Sequence, residues 1–326
     1  MTLDASVPNF AILLSINYAM KYQKVYCEKS SVEKLAVEID DQWQVLTHAG
    51  LTFFDLLNLS SDELEELDKE AISNHDACRP MLPFRPVAYR DFMLYERHAV
   101  DAARGFVKKY MANLLPIVTV YEKVFRKPFP KLKPKNRFYQ YPIYYMGNHL
   151  NFISEGDQIS IPAYSKELDY ELELGVVITR PLKNASINEV NDAIGGFLIL
   201  NDFSARDVQM DEMDSGFGPM KTKNFGSSIS SVVIGKNSLL HKVDNLNVKV
   251  IINGKTIVES NTKNKTYSLQ EAIAYASWEE QLHPGELFGS GTIPGCTGIE
   301  NGVMLSKGDV ITLEIEGIGS LTNKIE

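Results

Sequence analysis

Cysteine is scarce in this chain of 326 residues: Cys27, Cys78 and Cys296 stand far apart, and no CxxC pair occurs. That spacing excludes a zinc ribbon and offers no disulfide framework, so a cytoplasmic protein in a reducing compartment is expected. A long hydrophobic run is also missing. The apolar stretch from Phe10 to Met20 is too short to span a bilayer, and no basic side chain precedes it. It reads as core structure rather than as a leader or anchor. Positive charge is in deficit, with 33 Lys and Arg against 42 Asp and Glu and a net charge of −9. This balance argues against nucleic acid and against an anionic membrane as partner. Neither a GxGxxG nor a Walker pattern is present, so Gly289-Ser-Gly-Thr-Ile-Pro-Gly295 reads as tight β turns rather than a phosphate cradle.

What is present is enough apolar residue, 44% of the chain, to build a substantial core in one large or two smaller domains. Residues 1–80 read as a small N-terminal domain and 81–326 as a larger catalytic one, with the proline-rich Arg79–Pro86 passage at the boundary. In the first part, Lys34–Leu46 reads as two short strands joined at Asp40-Asp41. Capping boxes are predicted at Ser60/Glu63, Ser186/Glu189 and Ser268/Glu271, each opening a helix. Asn253-Gly254 between alternating segments predicts a type I′ hairpin. Asp91–Arg104 has helical composition, and a helix throughout would place Asp91 and His98, seven apart, on one face. Taken alone, Asp91 reads equally as an N-cap and His98 as an ordinary helical histidine. Residues 114–140, rich in proline and lysine, read as an irregular connection.

The most informative stretch is Leu168-Asp-Tyr-Glu-Leu-Glu-Leu-Gly175, which alternates strictly. As a strand it presents Asp169, Glu171 and Glu173 on one face and an apolar set on the other. Three carboxylates so placed repel one another unless water or a cation lies between them. Either this is a charged, solvent-facing strand edge, or it holds a hard, oxygen-ligated cation such as Mg²⁺, Mn²⁺ or Ca²⁺. Downstream, the buried strand Phe197–Leu200 runs into Asn201-Asp-Phe-Ser-Ala-Arg-Asp-Val-Gln209, where Asp202, Arg206 and Gln209 have helical spacing.

These segments occur in an order that resembles the fumarylacetoacetate hydrolase family over about residues 80–326. The resemblance rests on Asp91…His98-Ala, Pro142-Ile-Tyr-Tyr145, the Glu171/Glu173 pair, Asn201–Gln209, Lys223-Asn-Phe-Gly226 and His283-Pro-Gly-Glu286…Gly289-Ser-Gly-Thr292. A Glu-x-Glu pair alone is common; followed by Asn-Asp-Phe-Ser-Ala-Arg-Asp and then Lys-x-Phe-Gly it is specific. The resemblance implies a mixed α+β, β-rich fold: a β-roll catalytic domain with a small N-terminal domain, in a homodimer. It further implies a divalent metal, Mg²⁺ first and Ca²⁺ or Mn²⁺ as alternatives, held by Asp91, Glu171, Glu173 and Asp202. His98 matches the catalytic histidine, and Arg206, Gln209 and Lys223 match polar groups around the reacting carbonyls. Tyr145 and Thr292 match substrate-contacting positions.

The chemistry so implied is the hydrolytic cleavage of a C–C bond in a β-diketo acid, such as an acylpyruvate. The metal would hold paired substrate oxygens, and an imidazole, which ordinarily titrates near neutrality, would activate water. Met93 stands where relatives often carry a tyrosine. Two carboxylates compete to orient His98: Asp101, three residues on and preferred, and Glu300, in the loop after Gly295. If neither reached His98, a 2-oxo acid decarboxylase or tautomerase, a tailoring enzyme or an idle binding homologue would be the alternative.

Overall fold

The structure is a computed structural model, and it describes residues 20–47, 50–72 and 77–326. The Phe10–Met20 run, except Met20 itself, lies outside these residues. Among them, no helix is long and apolar enough to cross a membrane.

Two strands, Leu172–Ile178 and Ile194–Asn201, form the centre of the molecule and pair antiparallel along their length. Both are buried at every position, so the alternation over Leu172–Gly175 separates two buried faces, one of which carries Glu173, rather than a core face from a solvent face. One face, with Leu172, Leu174, Val176, Phe197 and Ile199, packs into the main core. That core is closed by a second, five-stranded sheet (Lys255–Asn261, Asn247–Ile252, Val310–Ile315, Gly319–Ile325 and Gln158–Ile159) and by the helices Ile187–Ala193 and Leu269–Ala276. The other face, with Val177, Leu198 and Leu200, packs against Phe53, Leu56 and Leu57 from the N-terminal part and against Phe84.

The central sheet extends in both directions from that pair. On one side Val232–Gly235 pairs with Ile194–Asn201 and then with Lys21–Cys27, so hydrogen bonding continues into the N-terminal strands. On the other side Leu172–Ile178 pairs with Glu286–Gly289, which in turn pairs in parallel with Ala88–Phe92. The architecture is the expected mixed α+β, strand-rich fold.

Local signals in the sequence are met where they occur. All three capping boxes form, with reciprocal hydrogen bonds between the serine and the glutamate three residues later. Asp40 and Asp41 both adopt positive φ, 50° and 59°, as does the Asn253-Gly254 pair, which gives the I′ geometry of a two-residue hairpin.

Three expectations are corrected. Asp91 lies on the strand Ala88–Phe92, not on a helix; the helix runs Glu96–Tyr110. The strand is favoured because its parallel register on Glu286–Gly289 satisfies the backbone of Asp91 inside a sheet. The 114–140 segment contains the helix Leu115–Phe125, with Pro116 tolerated in its first turn, where no intrahelical donor is needed. Finally, Cys27 and Cys78 form a disulfide, their Cα atoms 4.0 Å apart. The register places them directly opposite each other on the antiparallel pair Lys21–Cys27 and Cys78–Pro80. A separation of 51 residues in sequence hid that proximity.

Candidate metal centre and active site

Four carboxylates, Asp91, Glu171, Glu173 and Asp202, meet from three segments: the strand Ala88–Phe92, the strand Leu172–Ile178 with the residue before it, and the end of Ile194–Asn201. Each offers an oxygen within 4.8 Å of the others. A shared cation with oxygens at about 2.1–2.5 Å requires such separations. Period-two alternation accounts for part of the convergence. Glu173 lies on the sheet face of Val177 rather than that of Leu174, and Asp91 lies on the face of Tyr89 rather than that of Phe92. Asp202 follows the last residue of Ile194–Asn201, and its amide donates to the Glu171 carbonyl at 3.1 Å.

All four acids are buried, Glu173 and Asp202 completely. Their environments differ in charge. Lys223 and Arg206 both reach Glu171, at 2.5 Å each. Burial pushes Glu171 upward, but the Lys223 ammonium and Arg206 guanidinium outweigh it and hold the carboxyl well below the usual range. Asp202 accepts from Lys223 at 2.6 Å, from Tyr145 Oη at 2.7 Å and from Ser227 Oγ at 3.0 Å. Asp91 and Glu173 lack such a cation. Burial, first, and repulsion from neighbouring carboxylates raise both well above ordinary values. Asp91 Oδ1 and Glu173 Oε1 have no hydrogen-bond partner among the described residues.

Two orphaned, buried acceptors beside two carboxylates that share the Lys223 ammonium fit a divalent cation. The floor of the site fits one as well. A Cβ on Gly289 would lie 2.5 Å from Glu173 Oε2 and 2.6 Å from Asp91 Oδ1, so only glycine leaves both oxygens in place. The solvent-facing reading of Asp169, Glu171 and Glu173 is therefore overturned: all three are buried.

His98 is buried in the first turns of helix Glu96–Tyr110, close enough to Glu171 to act on it electrostatically. Its Nδ1 lies 2.5 Å from Glu300 Oε1. The competition between carboxylates is thus settled against Asp101, which turns to Arg104 and Arg97 instead. Both arginines lie one helical turn further along or back, where they outcompete the imidazole for a half-buried carboxylate. Glu300 stands on a four-residue helix, Gly298–Asn301, and its other oxygen accepts from the Gly295 amide.

The remaining expected residues differ in their reach. Lys223, Tyr145 and Arg206 touch the acidic cluster directly. Thr292 is buried beside Gly291, whose amide donates to Glu173 Oε2 at 3.1 Å. Gln209 and Arg206 bind each other, Arg206 Nη1 donating to Gln209 Oε1 at 2.8 Å. Arg206 does not face a substrate. Its nitrogens are taken by Asp169, Glu171, Gln209 and Thr297, and it is only 2% exposed. Asp169, two residues before Glu171, takes its Nε at 2.7 Å while Glu171 takes Nη2 at 2.5 Å. Tyr89 was not foreseen. It shares a face with Asp91 two residues on, it is buried, and its hydroxyl has no partner among the described residues. The same alternation that exposed Glu171 and Glu173 could have found it.

Comparison with known proteins follows the same outline. The model of the fumarylacetoacetate (FAA) hydrolase C-terminal region matches residues 120–326. An uncharacterised protein of Methanocaldococcus jannaschii is 34% identical over 57% of this chain and 74% of its own. A mitochondrial oxaloacetate tautomerase of Xenopus laevis is 27% identical over 80% of this chain and 85% of its own. Several other curated relatives are matched over 54–59% of their length. Among solved structures, a fumarylacetoacetate hydrolase from Exiguobacterium antarcticum superposes with a TM-score of 0.69 at 19% identity, covering 94% of this chain and 99% of that one. At that identity the likeness speaks for the fold.

Proposed function

Because the chain belongs to the fumarylacetoacetate hydrolase family, we propose that it is a metal-dependent hydrolase cleaving a C–C bond in a β-diketo acid, with an acylpyruvate as the type of substrate. The observation that carries this reading is the contact of His98 Nδ1 with Glu300 Oε1 at 2.5 Å, beside the acidic cluster. A carboxylate on Nδ1 fixes the imidazole so that Nε2 is the basic nitrogen.

Asp91, Glu171, Glu173 and Asp202 are the residues that would hold the cation, with Mg²⁺ proposed first and Mn²⁺ or Ca²⁺, which hard carboxylate oxygens suit equally, as alternatives. A bound divalent ion would polarise the paired oxygens of the 2-oxo acid end and share the negative charge that cleavage leaves there. His98 Nε2 takes a proton from water, whose oxygen attacks the remote acyl carbon. The C–C bond breaks, the acyl fragment departs as a carboxylic acid, and the proton returns to the carbon of the pyruvate-like fragment. One water is consumed and no oxidant is needed. Lys223, raised above its usual value by Asp202 and Glu171 despite burial, keeps its ammonium to balance developing oxyanion charge. Gln209, with its carbonyl on Arg206, has its amide nitrogen left to donate. Arg206 holds Glu171 and Asp169 in place.

A second reading is favoured by the relatives named as oxaloacetate tautomerases. In it His98 returns the proton without attack by water, and a 2-oxo diacid is the substrate. One experiment separates the two. The purified protein is incubated with Mg²⁺, with and without a chelator, on an acylpyruvate panel and on oxaloacetate. Chelator-sensitive formation of two acid fragments supports hydrolysis. Enolisation or CO₂ release without such fragments supports the second reading. No metal-dependent turnover on any of these would overturn both. A homodimer is the assembly proposed with this function; the Cys27–Cys78 disulfide removes the ground on which a reducing cytoplasm was expected.

A further inference from the structure

Asp169 shares a face with Glu171 and Glu173 yet stands outside the metal cluster. It is completely buried, and its carboxylate accepts from five donors. Two of these are the backbone amides of Gly298, at 2.6 Å, and Ile299, at 2.9 Å. A third is the Thr297 hydroxyl at 2.9 Å, and the others are the Tyr170 amide and Arg206 Nε, each at 2.7 Å.

The first three donors belong to the start of Gly298–Asn301, the short helix on which Glu300 rides. Its N-cap, Thr297, makes no side-chain cap hydrogen bond to that helix. A four-residue helix cannot hold itself in water, because nucleation costs more than its few hydrogen bonds return. Asp169, from 128 to 130 residues away in sequence, does the capping instead.

Two glycines make the arrangement possible. A Cβ on Gly298 would collide with the Val303 carbonyl and lie 2.5 Å from Asp169 Oδ1. A Cβ on Gly105, in the helix that carries His98, would collide with the Ile299 carbonyl. The histidine helix therefore lies directly against the turn that Asp169 clamps.

We infer that Asp169 is a positioning residue: by capping the Thr297–Ile299 turn it sets Glu300 against His98. The inference rests on the reading of His98 as the proton-transferring group, but its structural half can be tested without turnover. In Asp169→Asn, one acceptor oxygen becomes a donor, and the amides of Gly298 and Ile299 cannot both be satisfied. Hydrogen exchange of residues 295–302 should then accelerate, while that of the central strand Leu172–Ile178 stays unchanged. Unaltered exchange at 298 and 299 overturns the inference, whatever the enzyme proves to catalyse.

The functional half is a double-mutant cycle with Glu300→Gln at saturating Mg²⁺. Asp169→Asn alone should lower kcat about 10- to 100-fold, the usual cost of an orienting partner, with KM shifted less than about threefold. Added to Glu300→Gln, it should cost less than about threefold more, because residues acting through one another are not additive. Full multiplication of the two single losses would show Asp169 acting elsewhere and overturn the inference. Thr297→Val keeps the side-chain shape and removes one donor to Asp169 together with one acceptor of Arg206, whose other bonds to Asp169, Glu171 and Gln209 remain, so it carries the same cycle if Asp169→Asn does not fold.

Discussion

The ammonium of Lys223 lies 2.5 Å from Glu171 Oε2 and 2.6 Å from Asp202 Oδ2, so one buried cation serves two of the four clustered acids. Lys223→Met should strand both. Breaking a buried ion pair by removing one partner costs about 3–5 kcal/mol, so the metal-free variant should melt well below the parent protein. Saturating Mg²⁺ should return much of that loss by supplying the missing charge. Thermal melts with a chelator and with Mg²⁺ decide the point. A variant melting like the parent in chelator would show that Lys223 does not neutralise the site.

Asp91 and Glu173 have no cation of their own, and this gives the site a pH signature. Burial and neighbouring carboxylates raise both folded-state values above the ordinary 3.8 and 4.5. For a raised acid the folded state binds more protons than the unfolded one, so its contribution to stability is full below the ordinary value and is lost as pH rises through the raised one. The metal-free protein should therefore lose stability from about pH 4 upward. Metal binds the deprotonated ligands, so the rise in Tm on adding Mg²⁺ should be greater at pH 8.5 than at pH 5.5. At 100 times its Kd the ion should add about 2.7 kcal/mol. Melting curves at the two pH values test both the slope and its sign.

Gly289 forms the floor under Asp91 and Glu173 and has an extended partner in Gly175 across the sheet. Gly289→Ala introduces a methyl 2.5–2.6 Å from two ligand oxygens, and something must move. The strand should persist, because alanine suits an extended backbone, while the carboxylates swing apart. Calorimetric titration should show Mg²⁺ affinity lowered at least about tenfold, the lower end of the cost of disturbing ligand orientation. Unchanged affinity would remove Glu173 and Asp91 from the ligand set.

Glu171, Glu173, Asp202 and Lys223 were legible in the chain because the information is local: a period-two acidic strand and two short polar motifs at strand ends. The capping boxes and I′ hairpins were legible for the same reason, each being a contract between residues a few positions apart. What escaped depends on distance in sequence. Asp101 is three residues from His98 and was preferred to Glu300, which is 202 away, yet Glu300 makes the contact. Local spacing states who could meet; Arg104 and Arg97 determine that Asp101 does not. Asp169 could be separated from its two neighbours as a non-ligand, but its task lies at residues 297–299, out of reach of any pattern reading. The Cys27–Cys78 pair likewise follows from strand register alone.

The contrast between Asp101 and Glu300 supplies the sharpest test of the active site. Glu300→Gln keeps the side-chain length but removes the charge that steadies an imidazolium, and it leaves one acceptor oxygen for two donors, the His98 Nδ1 proton and the Gly295 amide. General acid–base catalysis contributes about 10²–10⁴-fold, and a misoriented base forfeits a large part of it. Glu300→Gln should therefore lower kcat about 100-fold or more, close to the effect of His98→Ala, and the double variant should be little worse than either single one. Asp101→Asn should leave kcat within about threefold of the parent and cost at most about 1 kcal/mol of stability, because its ion pairs with Arg97 and Arg104 are partly exposed. Steady-state kinetics on whichever 2-oxo or β-diketo acid the protein turns over provides the comparison. The reverse order, with Asp101→Asn crippled and Glu300→Gln active, would return the orienting role to the helix and remove the observation on which water activation rests.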